Sequence, residues 1–314
     1  MIVTVTINPA IDKTIIIDDF KINSLNRYSN AIIDAGGKGI NVSKTLKAFE
    51  VESKAMGFIA GNTGDFIKKS LNDMKIENDF VEVFGQTRTN LKIINKDSDL
   101  TEINELGPEV NEDQIEELTE KIIKNCQKDS VVVLSGSITS KMKNDFYYHL
   151  CLRLKQQGLK VIVDADKDLL ANAIEAKPTL IKPNTYELCK YFKVEETNDL
   201  NEIKKMALVL VNKGIEYVVI SMGKDGAMFV NKDNIIFTEG LKIPAKSTVG
   251  AGDAMVAALA LSLDQGYDFE KMAKLAVAMS AGACLTEGTK PSDKNQVMKL
   301  IEKVKIKRME KNEN

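Results

Sequence analysis

From about residue 111 onward the chain alternates amphipathic stretches of helical length with short, wholly apolar runs, an order that suits a parallel sheet covered by helices. A helix over residues 112–126 leads to the strand Val131-Val132-Val133-Leu134, and a helix over 144–157 leads to Val161-Ile162-Val163. Leu180-Ile181-Lys182 follows, and a helix over 200–213 leads to Tyr217-Val218-Val219-Ile220. Runs without polar alternation belong to strands buried on both faces, so the fold class expected is α/β. Ligands of such sheets bind outside the carboxyl ends of the strands. That singles out Ser135-Gly136-Ser137, Asp164, Lys182-Pro183-Asn184 and Ser221-Met222-Gly223. A length of 314 residues suits one large domain, or a domain with a substantial insertion.

The first third reads differently. Short β-prone runs near 14–17, 31–33, 79–83 and 91–94 are separated by polar turns with no helix between them. They can form a small sheet over the end of the main one, shielding a site there from water, or an antiparallel extension of the main sheet. A small sheet of this kind exposes an apolar face and strand edges, so a homodimer is expected through it, with Ile15, Ile17, Ile32 and Ile33 supplying the apolar residues. The lysine-rich tail, 303–314, reads as a helix end and solvated terminus.

Charge and composition narrow the chemistry. Forty-three basic and 45 acidic residues nearly cancel, so no field of one sign recruits nucleic acid or an anionic membrane. Cys126, Cys151, Cys189 and Cys284 are far apart with no C-x-x-C spacing, which suggests neither a zinc site nor a disulfide framework and suits a reducing cytoplasm. The sequence begins directly on the alternating strand Ile2–Ile7, and no apolar run reaches membrane-spanning length. The single histidine, His149, sits in a helical stretch and reads as a partly exposed helix residue. Serine–histidine and cysteine–histidine systems are thereby removed, leaving carboxylates, lysines and backbone dipoles to do any chemistry.

Two glycine-rich helix mouths stand out. In Lys246-Ser247-Thr248-Val249-Gly250-Ala251-Gly252-Asp253-Ala254, small residues let helix-start N–H groups crowd an anion, and an acid inside that ring suits a base for an attacking hydroxyl. Taken alone, the stretch is equally a glycine turn with Asp253 capping a helix. In Ala35-Gly36-Gly37-Lys38-Gly39-Ile40-Asn41-Val42-Ser43, Lys38 and Asn41 add a charge and an amide, and Val42, Leu46 and Phe49 follow helical spacing. Neither matches a known nucleotide loop: Met255 replaces the third glycine of a dinucleotide fingerprint, and Gly39 follows Gly37-Lys38 where a Walker loop has Ser or Thr. Together they read as separate acceptor and donor sites.

With Asn8-Pro9-Ala10-Ile11-Asp12, Ser135-Gly136-Ser137, Lys182-Pro183-Asn184-Thr185-Tyr186-Glu187-Leu188 and Ser221-Met222-Gly223-Lys224-Asp225-Gly226-Ala227, these mouths make six ordered motifs. Over nearly its whole length the chain resembles the phosphofructokinase-B family of sugar kinases, in the ribokinase-like superfamily. The resemblance implies a three-layer α/β/α core and a small β-sheet lid, with one kinase domain over 1–314 and lid insertions at about 11–34 and 86–105. Thr87–Ile93 and Thr101–Pro108 most resemble the 1-phosphofructokinase branch, which transfers the ATP γ-phosphoryl group to the 6-hydroxyl of fructose 1-phosphate. Kinases of tagatose 6-phosphate or fructose 6-phosphate, and a retired sugar-phosphate sensor on the same fold, are the alternatives.

The resemblance also implies roles. Asp253 is the general base, with Gly250, Ala251 and Gly252 forming the anion hole. Asp12, Gly37, Lys38, Asn41 and Asn90 hold the sugar, and Arg27, Lys38, Arg88 and Lys92 are cations suited to an already phosphorylated acceptor. Lys182, Asn184, Ser221, Gly223, Gly226, Ser247 and Gly252 serve ATP, and Glu187 serves Mg2+, through water. The chain departs from the family pattern after Ser137, where Ile138-Thr139-Ser140-Lys141 replaces an apolar residue, Pro and Gly, and at Ala254 and Ala258.

Overall fold

A computed structural model describes residues 1–95 and 99–311; parts of the expected lid (96–98) and tail (312–314) lie outside the described residues. The amino-terminal part runs β1 (Ile2–Thr6), β2 (Ala10–Ile16), β3 (Ala31–Gly36), α1 (Lys38–Ala48), β4 (Ser53–Ile59), α2 (Gly61–Asp73), β5 (Glu77–Asn78), β6 (Val81–Glu82), β7 (Arg88–Ile94) and β8 (Leu100–Asn104). The middle runs α3 (Glu112–Asn125), β9 (Val131–Ser135), α4 (Phe146–Gln156), β10 (Lys160–Asp164), α5 (Lys167–Glu175), β11 (Leu180–Ile181), α6 (Thr185–Phe192), α7 (Leu200–Asn212) and β12 (Tyr217–Ser221). The remainder is β13 (Gly226–Asn231), β14 (Ile235–Glu239), α8 (Ala251–Gln265), α9 (Phe269–Ala283), α10 (Lys294–Ile301) and β15 (Ile306–Arg308).

The main sheet has the order β15-β14-β13-β12-β11-β10-β9-β1-β4-β5, with β6 also on β4. Pairing is parallel from β4 to β12 and antiparallel from β12 to β15. Alternate residues of each buried strand serve opposite layers. Val3, Val5, Val132, Leu134, Val161 and Val163 join the core formed with α3 to α7, whereas Ile2, Val131, Val133 and Ile162 join the core formed with α1, α8, α9 and α10. Helix α8 is buried almost throughout, and its alanines at 254, 257, 258 and 260 are all shielded from solvent. Such a helix is apolar all round because it has no solvent face.

The small sheet is separate, with the order β3-β2-β7-β8, rather than an extension of the main one. Its strands overlap both expected insertions. Several expectations are corrected. Residues 81–82 pair with β4 in the main sheet instead of joining the small sheet, the first third holds helix α2 besides α1, and the tail contributes β15 to the edge beside β14. Ile15 and Ile17, expected at an outer surface, are 4% and 8% exposed and pack with Ile93, Ala31 and Leu91 inside the small sheet's own cluster. Within the strands of the small sheet the exposed isoleucines are Ile16, Ile32, Ile33 and Ile103.

Candidate active site

The path of the chain reverses at β1: β4 lies on one side of it, and β9 followed by β10 and β11 on the other. At this switch point the carboxyl ends of the strands splay apart. A cleft of about 510 Å3 opens there, floored by Thr6, Asn8, Ser135, Asp164, Lys182 and Ser221. The strand period of two puts Arg88, Asn90 and Lys92 on one face of β7, and all three line the cleft with Asp12, Glu102 and Asn104. Asp12 accepts from Asn90 Nδ2 at 3.0 Å and from Lys92 Nζ at 3.3 Å. A larger groove, of about 910 Å3, runs between the ends of α1 and α8 and the start of α9 and collects none of these groups.

Both glycine-rich helix mouths open into the cleft. Gly37 precedes α1 at φ 121°, and a Cβ there would stand 2.6 Å from Thr6 Cγ2. Only glycine lets α1 begin this close to β1. Gly250 precedes α8 at φ 83°, a left-handed turn that swings the first turn of the helix toward the cleft. The Ala251 amide donates to Thr248 O at 3.4 Å, so among the described residues the amides of Gly250, Gly252 and Asp253 are the ones left for an anion. Asp253, 8% exposed, accepts from Asn41 Nδ2 at 2.8 Å through Oδ2. Burial and then the charge of Asp164 push its carboxyl up to about 6, against the pull of Asn41, Lys38 and Lys182.

Beside Asp253 lies a buried charge cluster. Asp164, at the end of β10, meets Lys182 Nζ at 3.1 Å and Lys38 Nζ at 3.5 Å, and accepts from Ser135 Oγ at 3.3 Å. Burial alone would raise its carboxyl; the two ammonium groups reverse this and hold it at about 2. The same carboxylate raises Lys38 well above the usual lysine range. Asp164 thus ties Lys38 of α1 to Lys182 following β11.

A buried carboxylate at a helix mouth, paired lysines and polar groups facing a small separate sheet are equipment suited to phosphoryl transfer to a hydroxyl. The model of the family "pfkB family carbohydrate kinase" matches residues 6–296. The chain belongs to this family. It is 36% identical over 311 residues to 1-phosphofructokinase of Bacillus subtilis (strain 168), covering 98% of this chain and all of that one. It is 30% identical, again over 311 residues and with the same coverage, to tagatose-6-phosphate kinase of Staphylococcus epidermidis. Among solved structures, phosphofructokinase-2 from Escherichia coli in complex with substrates and products superposes with a TM-score of 0.90, at 29% identity, over 96% of this chain and 98% of that one.

For this pfkB kinase the cleft brings together Asp12, Gly37, Lys38, Asn41, Arg88, Asn90, Lys92, Lys182, Asn184, Glu187, Ser221, Gly250, Gly252 and Asp253. Five expected residues lie outside its lining. Arg27 is exposed on the loop between β2 and β3. Gly223 is in the tight turn after β12, and Gly226 opens β13 with no room for a Cβ beside Thr238 O, a structural reason for glycine. Ser247 Oγ accepts from the Val249 amide, and Ala251 is drawn into the Thr248 turn. Conversely, Asp166, Thr289, Glu102 and Asn104 line the cleft without a role read from sequence, and Ser137, singled out after β9 but given no role, lines it too. Asp166 and Ser137 were within reach, since they follow β10 and β9; Thr289 has no sequence signal.

Asn184 and Glu187 form a reciprocal capping box, with bonds of 2.8 and 2.9 Å. The N-x-x-E element therefore also starts α6. One Glu187 oxygen is used in this way and the other has no hydrogen bond among the described residues, while burial raises the carboxyl. Among the described residues no cluster of three acidic, histidine or cysteine ligands could hold a metal. A magnesium ion brought with nucleotide phosphates needs only one or two carboxylates and keeps its waters, which Glu187 and Asp166 at the cleft fit.

Proposed function

We propose that this kinase transfers the γ-phosphoryl group of ATP to the 6-hydroxyl of fructose 1-phosphate, giving fructose 1,6-bisphosphate and ADP in the cytoplasm. Arg88 carries this reading. Its guanidinium donates only to the carbonyls of Asn8 and Glu105, at 3.2 and 3.3 Å, and has no ion pair among the described residues. An arginine facing a cleft with donors to spare suits an acceptor that already bears a phosphate. Asp12, Asn41, Asn90 and Lys92 then hold the sugar, with Lys38 at the turn of α1. Asp253 takes the proton of the 6-hydroxyl as its oxygen bonds to the γ-phosphorus and the bond to the β-phosphate oxygen breaks. Gly250 shapes the turn, and the Gly252 and Asp253 amides with the α8 dipole meet the transferred charge. Lys182, Asn184 and Ser221 take the ATP phosphates, and Glu187 with Asp166 holds magnesium, which when bound neutralises phosphate charge.

The relative named tagatose-6-phosphate kinase supports a second reading, the same base and ATP side with the sugar reversed. Measuring ADP release with fructose 1-phosphate, tagatose 6-phosphate and fructose 6-phosphate separates them. The first should give the highest kcat/KM, and a preference for either of the others would overturn the assignment. Arg88→Ala should raise KM for the sugar phosphate by about 10- to 100-fold, since a charge-assisted hydrogen bond is worth about 1.5 to 3 kcal/mol, and change KM for ATP little. Equal effects on both substrates would move Arg88 away from the acceptor phosphate.

The small sheet is the proposed lid, and the exposed Ile16, Ile32 and Leu100 make it the proposed surface of a homodimer. Light scattering at micromolar concentration should give twice the 34.7 kDa chain mass. Ile32→Asp should halve it. Ile15→Asp instead strikes the lid's interior, so a dimer lost through Ile15 but retained in Ile32→Asp would disprove this surface.

A further inference from the structure

Asn41 faces two ways. Its Nδ2 donates to Asp253 Oδ2 at 2.8 Å, an orientation the carboxylate dictates because only the amide nitrogen can donate. Its Oδ1 is buried and has no partner, although the residue lines the cleft. An unmet buried acceptor beside a cleft is costly unless a ligand donor meets it. On the other side, Asp253 Oδ1 has no protein hydrogen bond among the described residues, so the Asn41 contact leaves one carboxylate oxygen for a proton. The two side chains come from different helix mouths, α1 and α8, so this bond is also where the acceptor and donor halves of the site meet.

We propose that Asn41 is the positioning residue of the general base: its amide nitrogen fixes the Asp253 carboxylate with Oδ1 toward the acceptor, and its amide oxygen accepts from a sugar hydroxyl, so that a seated sugar and an aligned base are one arrangement. This rests on Asp253 being the base, and not on which sugar phosphate is used. The other charged groups acting on Asp253 are Asp164 from β10, Lys38 from α1 and Lys182 after β11. A purely sugar-holding Asn41 would affect the sugar KM alone. A positioning Asn41 also stabilises the ionised base, and losing it makes the base harder to ionise.

The test compares Asn41→Ala and the near-isosteric Asn41→Asp with the wild type, using whichever sugar phosphate the kinase turns over. Asn41→Ala should lower kcat about 10- to 100-fold and move the acid limb of the kcat/KM profile upward by about one pH unit. Asn41→Asp should move it further, with activity returning as pH is raised, because two adjacent carboxylates share a proton. An acid limb unmoved in both variants, with only the sugar KM changed, would overturn the proposal. A second measurement needs no turnover. In ligand-free protein with 13C-carboxyl aspartate, the resonance missing from Asp253→Asn should titrate about one pH unit higher in Asn41→Ala. An unchanged midpoint would overturn the proposal even if the sugar assignment held, and a shifted one would support it even if that assignment failed.

Discussion

Asp253→Asn is expected to lose at least about 10²-fold in kcat, the scale of general-base catalysis, and at the same time to stabilise the fold. The two effects have one cause. Burial and Asp164 raise the folded-state pKa of Asp253 to about 6, above its ordinary value of 3.8. Between those values the folded chain holds a proton that the unfolded chain has lost, so this group's contribution to stability falls as pH rises from about 4 to 6. Above pH 6 the ionised carboxylate is a standing penalty of roughly 3 kcal/mol at most. Asparagine keeps the shape without the charge. The melting temperature at pH 7.5 should rise by several degrees and the gain should vanish near pH 4. The acid limb of kcat/KM in the unmodified enzyme should fall near pH 6. A variant with most of the original kcat would end the assignment of Asp253 as base, and a variant that melts lower at pH 7.5 would contradict the electrostatic account of its environment.

How much of this molecule was legible in the sequence depended on how locally each element is encoded. The buried strands β9, β10 and β12 were plain because each is an apolar run between helical stretches, and their ends located the cleft floor at Ser135, Asp164 and Ser221. Strand β4 was not, because Lys54 and Gly57 interrupt its apolar run, and α2 was not, because its fully buried large residues are only Ile67 and Leu71. Strand β15, Ile-Lys-Arg, is an exposed edge whose charges discourage further pairing and resemble a solvated tail. In the small sheet, adjacent isoleucines differ by one residue in a period of two, so Ile15 is internal and Ile16 external; only the register against β7 decides which.

At the site, the local motifs at Gly37 and Gly250 were readable because each needs a backbone that only glycine adopts easily. Arg27, exposed on the loop between β2 and β3, is not among the residues lining the cleft. A cation near a motif in sequence carries no information about the side of the sheet on which its loop runs. The role of Asp164 was invisible because its partners, Lys38 and Lys182, are supplied by α1 and the segment after β11, which only the folded sheet brings together.

That cluster sets the other large expectation. Asp164→Ala removes a carboxylate whose side chain is 3% exposed and leaves Lys182, at 6%, facing Lys38 without an intervening negative charge. Removing one member of a buried ion pair costs about 3 to 5 kcal/mol, because the remaining charge stays desolvated and unpaired. The depressed pKa of Asp164 means that its contribution is present above the unfolded value of 3.8 and is lost as pH falls toward about 2, so at pH 7 the full cost should be seen. A drop of several degrees in melting temperature is expected at neutral pH, shrinking in acid. Asp164→Asn, which preserves volume, should still melt below the unmodified protein, and it supplies a second readout. Asp164 is the main charge raising Asp253, so in the asparagine variant the acid limb of kcat/KM should move to lower pH, opposite to the shift expected for Asn41→Ala. An unchanged melting temperature in both variants would mean that the two lysines do not depend on Asp164, and an acid limb that stays in place would mean that Asp164 does not set the pKa of the base.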